Sequence, residues 1–188
     1  MTTKREAILI AAKNLFAQSS YHVTGVNKIA AVSGASKMTL YSQFGSKEQL
    51  IAEVLQLRNE EFVSSLREAM NKAVPGIARL EVLFNWHCAW FRNVDFNGCM
   101  FIKASEEFSG QSELIINIVR KHKLLILGMI EGCLVEADTE NCSSLARFLF
   151  TLIEGMIVNA QMFGSDHFTS TSWLQIESIV KGQIEKLT

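Results

Sequence analysis

The chain has 188 residues, 18 basic against 19 acidic side chains, and 48% hydrophobic residues. That composition excludes a disordered polar tail, and the length suits one compact domain, or a small domain fused to a larger one, with a real core. One proline and eleven glycines are too few for the turn every ~8–12 residues of an all-β sandwich, so the expected class is all-α. Cys88, Cys99, Cys133 and Cys142 match no zinc, redox or dense disulfide spacing, which points to a reducing compartment. Residues 7–12 are too short an apolar stretch, too closely flanked by Glu6 and Lys13, to be a secretory signal. The greasiest window, 124–135, is broken by Glu131 and falls short of the ~20 apolar residues of a membrane span. The expectation is a soluble cytoplasmic protein with no membrane partner.

In chain order, Ile8, Ala11, Ala12, Leu15 and Phe16 form the stripe of an amphipathic first helix over 4–18. Thr24 is the expected start of a second helix whose buried face is Val26, Ile29 and Ala30, and Gly34 breaks it. Ser36 caps a third helix through about Ser42, with Leu40 inward, and Gly45 closes it. Ser46 with Gln49 reads as a capping box opening a long fourth helix to about Met70. After Pro75 and Gly76, a fifth helix carries Ile77, Leu80, Phe84, His87, Phe91 and Val94, with Trp86 and Trp90 on a neighbouring face. A sixth runs from Met100 to Phe108. A seventh, over 112–136, is apolar almost all round after Leu124 and is expected mid-bundle. The polar turn Asp138–Asn141 precedes an eighth helix marked by Leu145 to Ala160, and Trp173, Ile176, Val180, Ile184 and Leu187 mark a ninth.

Charge is uneven. Residues 1–50 carry Lys4, Arg5, Lys13, Lys28, Lys37 and Lys47 against Glu6 and Glu48, a net of +4, while the remainder has a net of −5. A basic head on an acidic body suggests a polyanion at one end. Within that head, residues 24–50 read as two short helices joined by a tight glycine turn, then a capped helix. That is a helix-turn-helix pattern, whose second helix enters the DNA major groove.

Arg5, Ile8, Ala12, Leu15, Phe16, Tyr21, Thr24, Val26, Ile29, Ala30, Gly34, Ser36, Leu40, Tyr41, Phe44, Lys47, Glu48, Gln49 and Leu50 resemble, without a gap, the N-terminal signature of TetR/AcrR-type transcriptional regulators. Its most telling part is GASKMTLYSQFGSKEQL at 34–50. The resemblance implies nine helices, a homodimer and a ligand cavity in the body, and so a three-helix DNA-binding domain over 1–46 followed by a ligand-binding and dimerisation domain over 47–188. Four positions depart from the usual pattern: Ser20, Gly25, Ser33 and Met38. Gly25 removes a possible phosphate contact, and Met38 puts a flexible apolar side chain where bases are read.

The DNA-binding residues expected on this reading are Thr24, Ser36, Lys37, Met38, Thr39, Tyr41 and Lys47. Thr24, Tyr41 and Lys47 suit phosphates. Lys37 suits guanine, Thr39 either base type or a thymine methyl, and Met38 that methyl. The ligand cavity is expected at Phe62, Trp86, Trp90, Phe101 and Phe108, with His87 or Glu107 orienting the guest. The apolar residues of the last two helices exceed what one bundle face hides, so Phe148, Leu152, Met156, Trp173, Val180 and Ile184 are the expected dimer interface. Partners are then pseudo-palindromic operator DNA, a small-molecule effector and a second copy.

No metal, cofactor or catalytic group is expected. His87 and His122 lack His or Cys partners at i+3 or i+4. Ser165, Asp166 and His167 are adjacent in one loop and cannot stack as a catalytic triad. The alternative to a DNA-binding repressor is a small helical enzyme using His87 and Glu107 as acid and base in a cleft, which would have no reason to possess the 34–50 segment.

Overall fold

The computed structural model describes residues 3–165 and 171–184, and among them there are nine helices and no strands. They are α1 (Lys4–Gln18), α2 (Val26–Ser33), α3 (Lys37–Phe44), α4 (Lys47–Met70), α5 (Ile77–Phe91), α6 (Met100–Phe108), α7 (Glu113–Glu136), α8 (Cys142–Phe163) and α9 (Thr171–Ile184). Leu187 and two of the three residues read as a polar turn, Asp166 and His167, lie outside the described residues.

Several helix ends differ from the sequence reading, each for a local reason. Thr3 makes a full capping box with Glu6 at α1, a signal the sequence reading passes over. At Ser46 only half the box forms. The Gln49 amide donates to Ser46 Oγ (3.0 Å), but the Ser46 amide is taken by the Phe44 carbonyl (2.8 Å). Thr24 is not the cap of α2. Gly25 is, without a side-chain bond, because the Thr24 hydroxyl donates backwards to the Ser20 carbonyl (2.9 Å). α3 continues past Ser42 to Phe44, and α5 stops at Phe91, leaving Val94 exposed.

The chain divides into two compact units, one of residues 1–62 with 99–122, the other of 63–98 with 123–188. The expected boundary at 46/47 therefore does not coincide with the division between these units. α4 and α7 each contribute residues to both, and α6 belongs with the head. In the first unit α1 packs on α2 and α3, burying Ile8, Ala12, Phe16, Tyr21, Ile29, Leu40 and Phe44. Each such large side chain contributes roughly 1.5–3 kcal/mol by leaving water. Arg5 lies over the Phe44 ring (4.8 Å) while pairing with Glu53, which ties α1 to α3 and α4.

In the second unit α5 packs on α8 and α9. Leu80, Leu83, Phe84, Leu149, Ile153, Ile157, Ile176 and Val180 are buried, and Phe84 meets Trp173 at 5.9 Å. Gly76 opens α5 at φ 91°, a conformation that favours glycine. Its amide donates to Glu136 (2.9 Å), which also takes Arg79 (2.7 Å). α7 is not buried all round: Ile126, Ile130, Cys133 and Leu134 face the core, while Leu124, Leu125 and Val135 are exposed. Among the described residues, the helix that is long and apolar enough, by length and composition, to cross a membrane is instead α8, with only a third of that stretch buried.

Candidate nucleic-acid interface

The helix-turn-helix is built by two punctuation marks. Gly34 ends α2 in the left-handed region (φ 63°), its amide reaching back to Ala30 and Ala31. Two residues later Ser36 caps α3, accepting the Thr39 amide (3.0 Å) and pairing with the Thr39 hydroxyl (2.8 Å). Lys4 Nζ donates to the Gly34 carbonyl (3.0 Å) and so braces the turn from α1. α3 then buries Leu40 and Phe44 and exposes Lys37, Met38, Tyr41, Ser42 and Gln43. Met38 is 82% exposed, and Tyr41 is 40% exposed. A thioether exposed to that degree adds nothing to the core and is open to a partner beside Lys37 and Tyr41.

Sequence counting overstates the positive charge of the head. Arg5 is paired with Glu53 and Lys13 with Glu61, both acidic partners lying on α4. Lys28 on α2 and Lys37 on α3 are exposed and have no ion-pair partner among the described residues. Lys28 is not among the residues that sequence assigns to DNA, and only its exposure brings it forward. Thr24 is 3% exposed with its hydroxyl committed to Ser20, so the structure does not present it to a phosphate.

Lys47, the first residue of α4, donates from Nζ to the His22 carbonyl (3.2 Å). Burial lowers its affinity for a proton, and the charge of Glu107 opposes that. Glu107 itself does not sit where a ligand-orienting group is expected. Its oxygens accept from Ser20 Oγ (2.8 Å), the Tyr21 amide (3.0 Å), the His22 amide (2.8 Å) and His22 Nδ1 (2.8 Å). Burial alone would raise the carboxyl, but those donors outweigh it and hold it below the usual carboxylate range. With its acceptor sites filled by the α1–α2 loop, Glu107 is no general acid or base.

The other aromatic residues expected around a ligand fall into both units. In the first, the buried His122 ring stacks on Phe101 (3.6 Å) and meets Phe62 edge-on (5.2 Å), with Nδ1 donating to Asn59 Oδ1 (2.8 Å). Phe108 stacks on His22 (4.9 Å) and meets Tyr21 (5.7 Å), so it belongs to the loop contact. In the second, Trp86 and Trp90 flank His87 (5.4 and 6.3 Å), and Trp86 Nε1 donates to Ser65 Oγ (3.2 Å).

His87 is 1% exposed and donates from Nδ1 to the Leu83 carbonyl (2.8 Å). Burial pushes its pKa down from 6.5 to about 4, against the pull of that bond, and Lys123 lowers it further. The folded protein thus keeps His87 neutral at pH values where the unfolded chain protonates it. Its contribution to stability is whole above pH 6.5 and is lost as pH falls towards about 4, a change of about 3 kcal/mol. Melting temperature followed from pH 7 to pH 4 should fall, and His87→Gln should flatten that fall. An equal slope in the variant would remove His87 as its source.

Of the expected interface residues, Phe148 (51%) and Leu152 (36%) are exposed. Met156, Trp173 and Val180 are 3%, 8% and 0% exposed. They serve the chain's own core, because α9 turns the face bearing Trp173, Ile176 and Val180 onto α5. Ile184 is half-buried. The exposed apolar residues that the sequence reading misses are Val158, Met162 and Phe163 on α8 and Leu174 and Ile179 on α9.

A capped helix-turn-helix followed by an otherwise helical chain places the protein in the helix-turn-helix class. Residues 8–54 match the family described as bacterial regulatory proteins, tetR family. The fold is that of a TetR-family transcriptional regulator from Streptomyces coelicolor, with a TM-score of 0.89 and 20% identity over 96% of this chain and 95% of that one. The transcriptional activator FasR of Mycolicibacterium smegmatis is 38% identical over 77 residues, 41% of this chain and 35% of that protein. The transcriptional repressor DhaR of a Mycobacterium species is 28% identical over 119 residues, 61% of this chain and 57% of that protein. The chain thus spans from about a third to just over half the length of these curated relatives. Residues 8–54 thus carry the N-terminal pattern of the tetR family, and the chain as a whole shares the fold of that solved TetR-family regulator.

Proposed function

We propose that the chain is a DNA-binding transcriptional regulator, a repressor that a small molecule releases from its operator, acting as a cytoplasmic homodimer. The observation that carries the reading is the exposed face of α3, where Lys37, Met38 and Tyr41 stand free on a helix whose opposite face is locked by Leu40 and Phe44. Lys37 and Met38 supply base contacts, and Tyr41, Lys47 and Lys28 supply phosphate contacts. Ser36 and Thr39 serve mainly as the cap that aims the helix, since their hydroxyls bond each other. The repressor sign is supported by DhaR, the longer of the two matches at 119 residues.

Dimerisation is supported by the uncovered apolar residues of α8 and α9, which also explain why α8 is so apolar without a membrane. Two heads related by a twofold axis read a pseudo-palindrome. For the effector, Trp86 and Trp90 around the buried His87 have the composition of a small-molecule site, apolar with one placed polar group. An effector acting through one equilibrium must bind operator-bound protein more weakly by the same factor that it weakens DNA binding.

The test is a mobility shift and salt titration with the chain's own upstream DNA. Lys47→Ala should weaken binding evenly across sequences and reduce the salt slope by about 1, as expected for one lost phosphate contact. Unchanged affinity and slope would remove Lys47 from the phosphate.

A further inference from the structure

α6 reaches into the head through a single carboxylate, and what that carboxylate holds leads to Lys47. Glu107 takes both the amide and the ring Nδ1 of His22 (each 2.8 Å), so residue 22 is gripped on two of the arms of its Cα. The preceding amide, that of Tyr21, donates to the same group (3.0 Å). Ser20 Oγ donates to Glu107 and accepts the Val23 amide (3.4 Å), while the Ser20 carbonyl takes the Thr24 amide (3.1 Å) and hydroxyl (2.9 Å). The one backbone group of His22 left to point elsewhere is its carbonyl, and that carbonyl receives Lys47 Nζ (3.2 Å). Other α6 residues pin the same loop and the end of α1 that leads into it. Lys103 Nζ donates to the Ala17 carbonyl (2.8 Å), Tyr21 Oη to the Met100 carbonyl (2.9 Å), and Phe108 stacks on His22.

We infer that Glu107 is a positioning residue for DNA recognition: by fixing the backbone of His22 it places the Lys47 ammonium for its phosphate. This inference rests on the DNA-binding reading above. An ammonium has three donors. One spent on the His22 carbonyl leaves two for phosphate oxygens, and it anchors the end of a flexible four-carbon stem that otherwise has to be ordered when DNA binds. Glu107 does not touch DNA. It acts through His22, and it puts the head's phosphate contact under the control of α6, a helix distant in sequence from the helix-turn-helix.

The test is a double-mutant cycle on the full chain, with operator affinity read by fluorescence anisotropy at several salt concentrations. Lys47→Ala and Glu107→Ala should each weaken binding by about tenfold and each lower the salt slope by about 1. The double variant should bind no worse than the weaker single one, since both remove the same contact. Glu107→Gln, which keeps an acceptor for the amides, should recover part of the affinity. A merely structural Glu107 would lower the melting temperature and leave the salt slope unchanged, and that result, or losses that multiply in the double variant, overturns the inference. If Glu107→Ala is unfolded by circular dichroism, the cycle built on Glu107→Gln decides by the same criterion. A wild-type chain that binds no upstream duplex overturns the DNA-binding reading and this inference with it. Wild-type binding with multiplicative losses overturns this inference alone.

Discussion

Phe148→Glu combined with Leu152→Glu should leave the chain folded, make it monomeric, and lower operator affinity by roughly a hundredfold or more, the gain that joining two binding modules ordinarily supplies. Both side chains are exposed, at 51% and 36%, on the outer face of α8. Changes at such positions typically shift folding stability by within about 0.5 kcal/mol. In the proposed twofold interface each charge would appear twice among apolar neighbours, Val158, Met162 and Phe163 of α8 with Leu174 and Ile179 of α9, and burying four unpaired carboxylates is prohibitive. Light scattering reads the mass, circular dichroism the fold and anisotropy the DNA affinity. A variant that remains dimeric at micromolar concentration places the interface elsewhere. Val180→Glu makes the contrast. With Val180 fully buried, that charge should unfold the second unit rather than separate a pair of intact chains.

That contrast also shows where sequence stops being informative. The 3.6-residue periodicity marks the positions of nine helices, and Gly34, Ser36 and Gly45 mark the turn and ends of the recognition segment, because these signals act locally along the chain. Periodicity says that α8 and α9 each have an apolar stripe. It does not say which stripe is covered by the chain itself, so Val180 and Phe148 look alike. α5 covers the stripe of Trp173, Ile176 and Val180, whereas Phe148 stays 51% exposed. Glu107 fails for the same reason. A carboxylate near aromatic residues reads as a ligand anchor until the fold brings it to Ser20, Tyr21 and His22, more than 80 positions away in sequence. Thr24 shows a more local limit. A threonine ahead of an apolar run suits a cap, but the Ser20 carbonyl competes for its hydroxyl and the helix starts one residue later.

Met38→Arg should change which base is preferred at one position of each half-site, from thymine to guanine, by roughly 1–3 kcal/mol, with little change elsewhere in the site. At 82% exposure Met38 stands out on α3, the proposed recognition helix, two residues beyond the Ser36 cap. The N-terminal residues of such a helix are the ones that meet base edges. A thioether offers a thymine methyl an apolar surface and offers guanine nothing to bond. A guanidinium reverses both, since it donates in parallel to guanine N7 and O6 and loses hydration against the methyl. The helix itself should not respond, because Met and Arg have similar helix propensity and the inward residues Leu40 and Phe44 are untouched. Selection of binding sites from a randomised pool, run on wild type and variant in parallel, reads the change. The proposed twofold arrangement demands that it appear symmetrically in both half-sites. Lys37→Ala in the same experiment should relax a guanine preference without creating a new one. If wild type and Met38→Arg select the same sequences, Met38 does not face the bases, and specificity must come from Lys37, Thr39 and the shape of the DNA.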